Sequence, residues 1–380
     1  MFFKRVLHPV GQGAFFTEQL WEDNEERAFF NVVYDCGSNT GLKNGVPQPV
    51  AKEIRNTYEE NEKIDVLFIS HFDEDHANGL ESLVKQGLIT KETKVIIPFR
   101  YPYLLMVMEN DNTSLARFVM QAYNIGATLI GINDGNNENR NLRDVDVDLL
   151  SKGQSLHNGT IIYKKDGKGI IWYYYPFMLS KQQPLMEVFV EKINEAKAEG
   201  KDIDVNDLED PEIVIEKRSL LRQIYQEIGK TKGGVTKINV NSLLMLSFPA
   251  KNIFRRACLW HMARHYCWVG PACFYTGDSN LQGNDYDDAV KSAQDAIDKY
   301  SKGTRVGVMQ VPHHGSRRCY PVQMANRNDE FTEMAFVNCN PLHSQKIFDS
   351  NIIGDFIRNC KELLLVTDDY HSRVEMIAEI

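Results

Sequence analysis

The chain has 380 residues, 43% hydrophobic and 25% charged, with a formal net charge of −9 and seven cysteines. Length and composition suit a globular chain with a sizeable core, as one elaborated α/β domain or two domains. No window approaches the roughly 18 apolar residues of a membrane span, the scattered cysteines fit a reduced cytoplasmic chain, and the acidic balance argues against binding duplex DNA through the whole surface.

In chain order, the start through Leu7 reads as a first strand without a signal-peptide pattern. Gly11 and Gly13, in Val10-Gly-Gln-Gly13, then allow a tight turn or a close backbone approach. A strand over Ala28–Tyr34 closes on Asp35-Cys-Gly37, where Asp35 is either a turn carboxylate or one that ties neighbouring loops together. A helix follows over 50–63. The apolar run Val66–Ile69 then predicts a buried strand ending at a loop.

That loop carries His71-Phe-Asp73-Glu-Asp75-His76, four candidate metal ligands within six residues. His71 and Asp73 alternate, so an extended strand end turns both to one side. Asp75 and His76 fall after the turn and can face a second ion. Mixed imidazole and carboxylate donors suit Zn²⁺ or Mn²⁺.

Strands over 94–98 and 127–131, with a helix over 113–124 between them, continue an α/β alternation. Residues 133–153 read as a surface loop. Strands are predicted over 159–163 and 169–175. Residues 180–230 change character, with amphipathic helices over 186–199 and 211–228. We read this stretch as a helical insertion within a domain spanning 1–380, and as a candidate protein-binding surface. Cys258, His261, His265 and Cys267 invite a zinc reading. Their spacing matches no common zinc site, and one short helix cannot easily surround an ion, so no metal is assigned there. Strands over 239–248, 272–275 and 305–311 lead to Asn241-Ser-Leu, Thr276-Gly-Asp278 and Pro312-His-His-Gly-Ser316. A helix over 286–299 precedes the last of these. A strand over 333–340, with His343 just beyond, a helix over 352–360 and a strand over 362–367 complete the pattern.

Asp278 and His313/His314 thus sit at strand ends, as the first cluster does. A carboxylate after a strand can bridge two ions about 3.5–4 Å apart, with a hydroxide between them as nucleophile. The ordered motifs from Val10-Gly-Gln-Gly13 to Pro312-His-His-Gly-Ser316 resemble the metallo-β-lactamase superfamily, and within it the hydrolase domain of ComEC-type competence proteins. The resemblance implies an αββα sandwich of two mixed sheets flanked by helices, holding two divalent ions, Zn²⁺ or Mn²⁺. It implies His71, Asp73 and Asp278 as ligands of one ion, and Asp75, His76, Asp278 and His314 as ligands of the other. Asp73 stands where most members carry a second His, a variant similar to the superfamily's phosphorylcholine esterases. Asn239 or Asn241 stands near the place of a further His that many members have. Asp75, His313 and His343 are the catalytic candidates, with Asp35, Asn241 and Ser316 supporting the site or the substrate.

The leading expectation is a phosphodiesterase, and specifically a nuclease acting without a membrane channel. Arg255-Arg256 and Arg317-Arg318 offer phosphate contacts. The alternatives are a hydrolase of a small phosphocholine-like diester or lactone, and a non-catalytic protein-binding module with a vestigial site.

Overall fold

The computed structural model describes the chain apart from residues 24, 112, 134–142, 153, 180–183, 232–241, 251–255, 268, 327–329 and 342–347. Among the described residues, ten strands form one sheet and eight another. The first sheet runs parallel from Ser155–His157 through Thr128–Asn133, Lys94–Ile97 and Val66–Phe68 to Phe30–Ser38. It continues antiparallel through Gly13–Trp21, Phe2–Leu7 and the C-terminal strand Val374–Glu379 to a hairpin, Arg256–His261 and Arg264–Cys267. In the second sheet Ala272–Tyr275, Val306–Gln310, Thr332–Asn338 and Glu362–Val366 are parallel. Gly169–Phe177 and Leu244–Pro249 join it antiparallel.

The pleat explains the layering. Successive side chains of a strand face opposite ways. Val66 and Phe68 enter the cluster between the sheets, while Leu67 and Ile69 turn to the outer helices. Cys273 and Tyr275 likewise face inward, and Ala272 and Phe274 pack outward under the helix Asn284–Tyr300. Helices Gln48–Thr57, Leu80–Lys85 and Ser114–Ile125 cover the other outer face. The result is an αββα sandwich with both sheets buried on their helical sides.

The helices Pro184–Ala198, Pro211–Glu216 and Arg218–Thr231 pack into this architecture. Phe189, Ile193, Leu208, Val214, Leu221 and Ile224 are buried in the same cluster as Leu104, Phe118 and Val119. The helix expected over 211–228 is broken at Lys217 into Pro211–Glu216 and Arg218–Thr231. The described part of the strand expected over 239–248 begins at Leu244.

The connector 258–267 is corrected from helix to hairpin. Ala257, Leu259 and His261 are buried, and Cys258 and Trp260 between them are not. That is a period of two, and Met262 takes φ 54° in the two-residue turn. The C-terminal strand carries the same signal, with Val374, Met376 and Ala378 buried and Glu375, Ile377 and Glu379 on the other face.

Candidate metal centre

The site lies on one rim of the sandwich, where loops leave the parallel strands. Val66–Phe68 delivers Ser70 and His71, and a short helix, Glu74–Ala77, carries Asp75 and His76. Ala272–Tyr275 delivers Asp278, and Val306–Gln310 delivers His313 and His314. The helix of ligands sits directly on the strands beneath it. A Cβ on Gly37 would stand 2.6 Å from the backbone carbon of both Asp75 and His76, so only glycine fits. Gly13 makes room for the same helix, since its Cβ would meet Asp75 O at 2.8 Å.

Second partners fix the orientation of three imidazoles. His76 Nδ1 donates to Asp35 Oδ2 at 2.8 Å. His71 Nδ1 lies 2.8 Å from Ser70 Oγ, which itself donates to Asp35 Oδ2 at 2.5 Å, so the imidazole is the donor. His314 Nδ1 donates to the Asn338 carbonyl at 3.0 Å. With each Nδ1–H committed, the three Nε2 lone pairs point inward. His76 Nε2 and His314 Nε2 are 3.2 Å apart. Two lone pairs at that distance repel unless a cation lies between them.

Asp278 straddles the centre. Its Oδ1 is 3.1 Å from His76 Nε2 and 3.6 Å from His314 Nε2. Its Oδ2 is 3.5 Å from His71 Nε2 and 3.5 Å from His313 Nε2. Two donor groups result, His71/His76/Asp278 and Asp75/His76/His314, each with ligand atoms within 4.8 Å of one another. Asp75 Oδ2 lies 3.3 Å from His314 Nε2. Asp73, 48% exposed, closes the outer side at 3.6 Å from His71 Nε2. His71 Nε2 and Asp278 Oδ1 are buried without a hydrogen-bond partner. Orphaned nitrogen and oxygen donors of this kind fit divalent cations.

The charges respond accordingly. Burial and the neighbouring His76 pull the His71 pKa down, but Asp278 and Asp73 outweigh both and raise it to about 9. Burial opposes charge on His76 and His314 too, yet the carboxylates raise both. Burial would raise Asp278, but His76, His314 and His71 hold it well below the carboxylate range. Asp75 is lowered against burial by His314.

Sequence reasoning passed over several supports. Ser70 links Asp35, His71 and His76, and its place directly before His71 was the available signal. Ser242 Oγ accepts from Asp278 N at 3.1 Å, and Gln310 Oε1 accepts from Thr276 N and Gly277 N. Asn241 and His343 lie outside the described residues, as does Asn239. Ser316 N donates to the His313 carbonyl at 2.8 Å. It lines a cavity of about 590 Å³ with His313, Arg317, Arg318, Phe348, Asp349 and Ser350.

Residues 30–135, which include the His71–His76 loop, match the model of the metallo-beta-lactamase superfamily. The fold is that of the metallo-beta-lactamases. A solved structure, the metallo-beta-lactamase fold protein YhfI from Bacillus subtilis, aligns over 98% of this chain and 98% of its own at 9% identity, with a TM-score of 0.41. That likeness is too distant to speak to chemistry. No curated protein matches the chain. Among the described residues no helix is long and apolar enough to cross a membrane.

Proposed function

We propose that the chain is a metal-dependent phosphodiesterase. The observation that carries this reading is the double donor set around Asp278, joined through His313, 3.5 Å from Asp278 Oδ2, to a cavity rimmed by His313 and two arginines. His71, Asp73 and Asp278 would hold one cation, and Asp75, His76, Asp278 and His314 the other. When bound, the ions supply an acidified water as nucleophile and a Lewis acid for a phosphoryl oxygen.

The chain's own groups do the rest. Asp35, Ser70 and Asn338 hold the imidazoles in the tautomer that leaves Nε2 basic. Arg317 and Arg318, both exposed, present positive charge to a substrate phosphate, Arg317 while paired 3.5 Å from Asp355. His313, with Nδ1 3.2 Å from Cys319 Sγ, is the candidate proton donor to the leaving oxygen. Its loop is pinned by His313 N donating to Gly277 O at 3.0 Å, which keeps it against Asp278. Consecutive left-handed residues, His313 at φ 48° and His314 at φ 52°, aim the two rings differently.

Nucleic acid is the leading substrate, supported by the ComEC-like order of motifs and the basic rim. A small diester is the second reading, supported by the cavity of about 590 Å³, a size suited to one small molecule. The test is hydrolysis of single- and double-stranded DNA, RNA and bis-p-nitrophenyl phosphate with Mn²⁺ or Zn²⁺, wild type beside Asp75→Ala. Turnover by the wild type alone supports the proposal. Equal inactivity on every substrate refutes it.

A further inference from the structure

Far along the first sheet from the rim, the terminal hairpin gathers a second set of soft donors. Cys258 is directly opposite Cys267, and Trp260 is opposite His265. All four share the outward face, because Ala257, Leu259 and His261 take the inward one. The two sulfurs are 4.0 Å apart, and the cysteines are not disulfide-bonded. His265 Nε2 lies 3.7 Å from Cys267 Sγ, and its ring stacks on Trp260 with centroids 4.9 Å apart. One ligand atom from each of Cys258, His265 and Cys267 falls within 4.8 Å of the others.

We propose that Cys258, His265 and Cys267 form a separate site for a thiophilic metal ion such as Zn²⁺. Tetrahedral zinc with its usual bond lengths sets sulfurs about 3.8 Å apart and sulfur and nitrogen about 3.6 Å apart. The observed separations of 4.0 and 3.7 Å need only small side-chain rotations to meet those values. A disulfide needs the sulfurs to close to about 2.05 Å, a far larger movement. The regular hairpin backbone supplies what a short helix cannot, three donors converging from two strands. His261 is not part of the set, since its Nε2 donates to the Leu365 carbonyl at 3.1 Å. His265 and Cys267 are exposed and Cys258 is half-buried, so an ion can reach the three donors from solvent. A bound ion would clip Arg264–Cys267, which among the described residues is the last strand of its sheet, with a strand partner on one flank.

The test is Co²⁺ titration of the reduced full chain, read by thiolate-to-cobalt charge-transfer absorption in the near ultraviolet. The donors of the rim centre are nitrogen and oxygen, so the band reports the hairpin. Its plateau should correspond to one thiolate-bound cobalt per chain, beyond any ions taken by the rim centre, and Zn²⁺ should bleach it. Cys258→Ser and Cys267→Ser should abolish it, and Asp278→Asn should leave it intact. His265→Ala should weaken cobalt binding by about 10–100-fold or more, a ligand mattering at least as much as an outer partner does. Zn²⁺ should also slow alkylation of the exposed Cys267 in the wild type, a readout that needs no variant. No band with the reduced protein, a band that survives Cys267→Ser, or alkylation indifferent to Zn²⁺ would each overturn the proposal.

Discussion

Asp35 holds His76 in place. Its Oδ2 accepts from His76 Nδ1 at 2.8 Å while Oδ1 accepts from Ser70 N at 2.7 Å, both residues fully buried. One carboxylate therefore ties the end of the strand before His71 to the helix that carries the ligands. Asp35 itself sits at φ 56°, an unfavourable backbone for a non-glycine residue, kept because this side chain must reach both partners.

Asp35→Asn should accordingly weaken divalent-metal affinity by about 10–100-fold. Competition against a chelator with a known metal affinity measures it. Ordinary affinity in this variant would mean that the imidazoles are oriented without Asp35.

Asp278 touches both donor groups and Asp73 only one flank, so their removal should differ. Asp278→Asn should lower the proposed phosphodiesterase turnover by at least about 100-fold, with Asp73→Ala milder. Steady-state rates at saturating Mn²⁺ compare them. Equal losses would contradict the bridging position of Asp278.

Gly37→Ala places a Cβ 2.6 Å from the backbone of both Asp75 and His76. Backbone cannot rotate away as a side-chain tip can, so destabilisation of about 1–3 kcal/mol is expected, with displacement of the ligand helix. Urea unfolding reads the first and metal affinity the second.

Much of this was legible from residue pattern. The His71–His76 run, Thr276-Gly-Asp278 and Pro312-His-His stand out because apolar strands lead straight into polar donors. The supports were harder to see. Ser70, Ser242, Gln310 and Asn338 act through hydrogen bonds to other parts of the chain, and no local period reports such a contact. The hairpin was misread because its two cysteines and two histidines drew attention to spacing, while the alternation of Ala257, Leu259 and His261 carried the fold. His313 was assigned to substrate, and its Nε2 also comes within 3.5 Å of Asp278, a contact that depends on the loop's left-handed turn.

The metal-free protein should lose stability as pH rises from 6.5 to 9. His71 is raised from 6.5 to about 9, so its charge stabilises the fold fully below 6.5, and that contribution disappears as pH climbs through 9. His8, pushed down to about 4 by burial, is neutral throughout this window and does not oppose the trend. The metal-loaded protein should behave in the opposite sense, since protons and ions compete for the same nitrogens. Thermal melts of both forms across this range check the crossing.

The central claim is a two-ion centre organised on Asp278. It is tested most directly by native mass spectrometry of the Cys258→Ser/Cys267→Ser chain, in which the hairpin cannot contribute. The account predicts two divalent ions retained per chain, and loss of at least one on adding Asp278→Asn. A chain that retains no ion, or an ion count indifferent to Asp278→Asn, would contradict it.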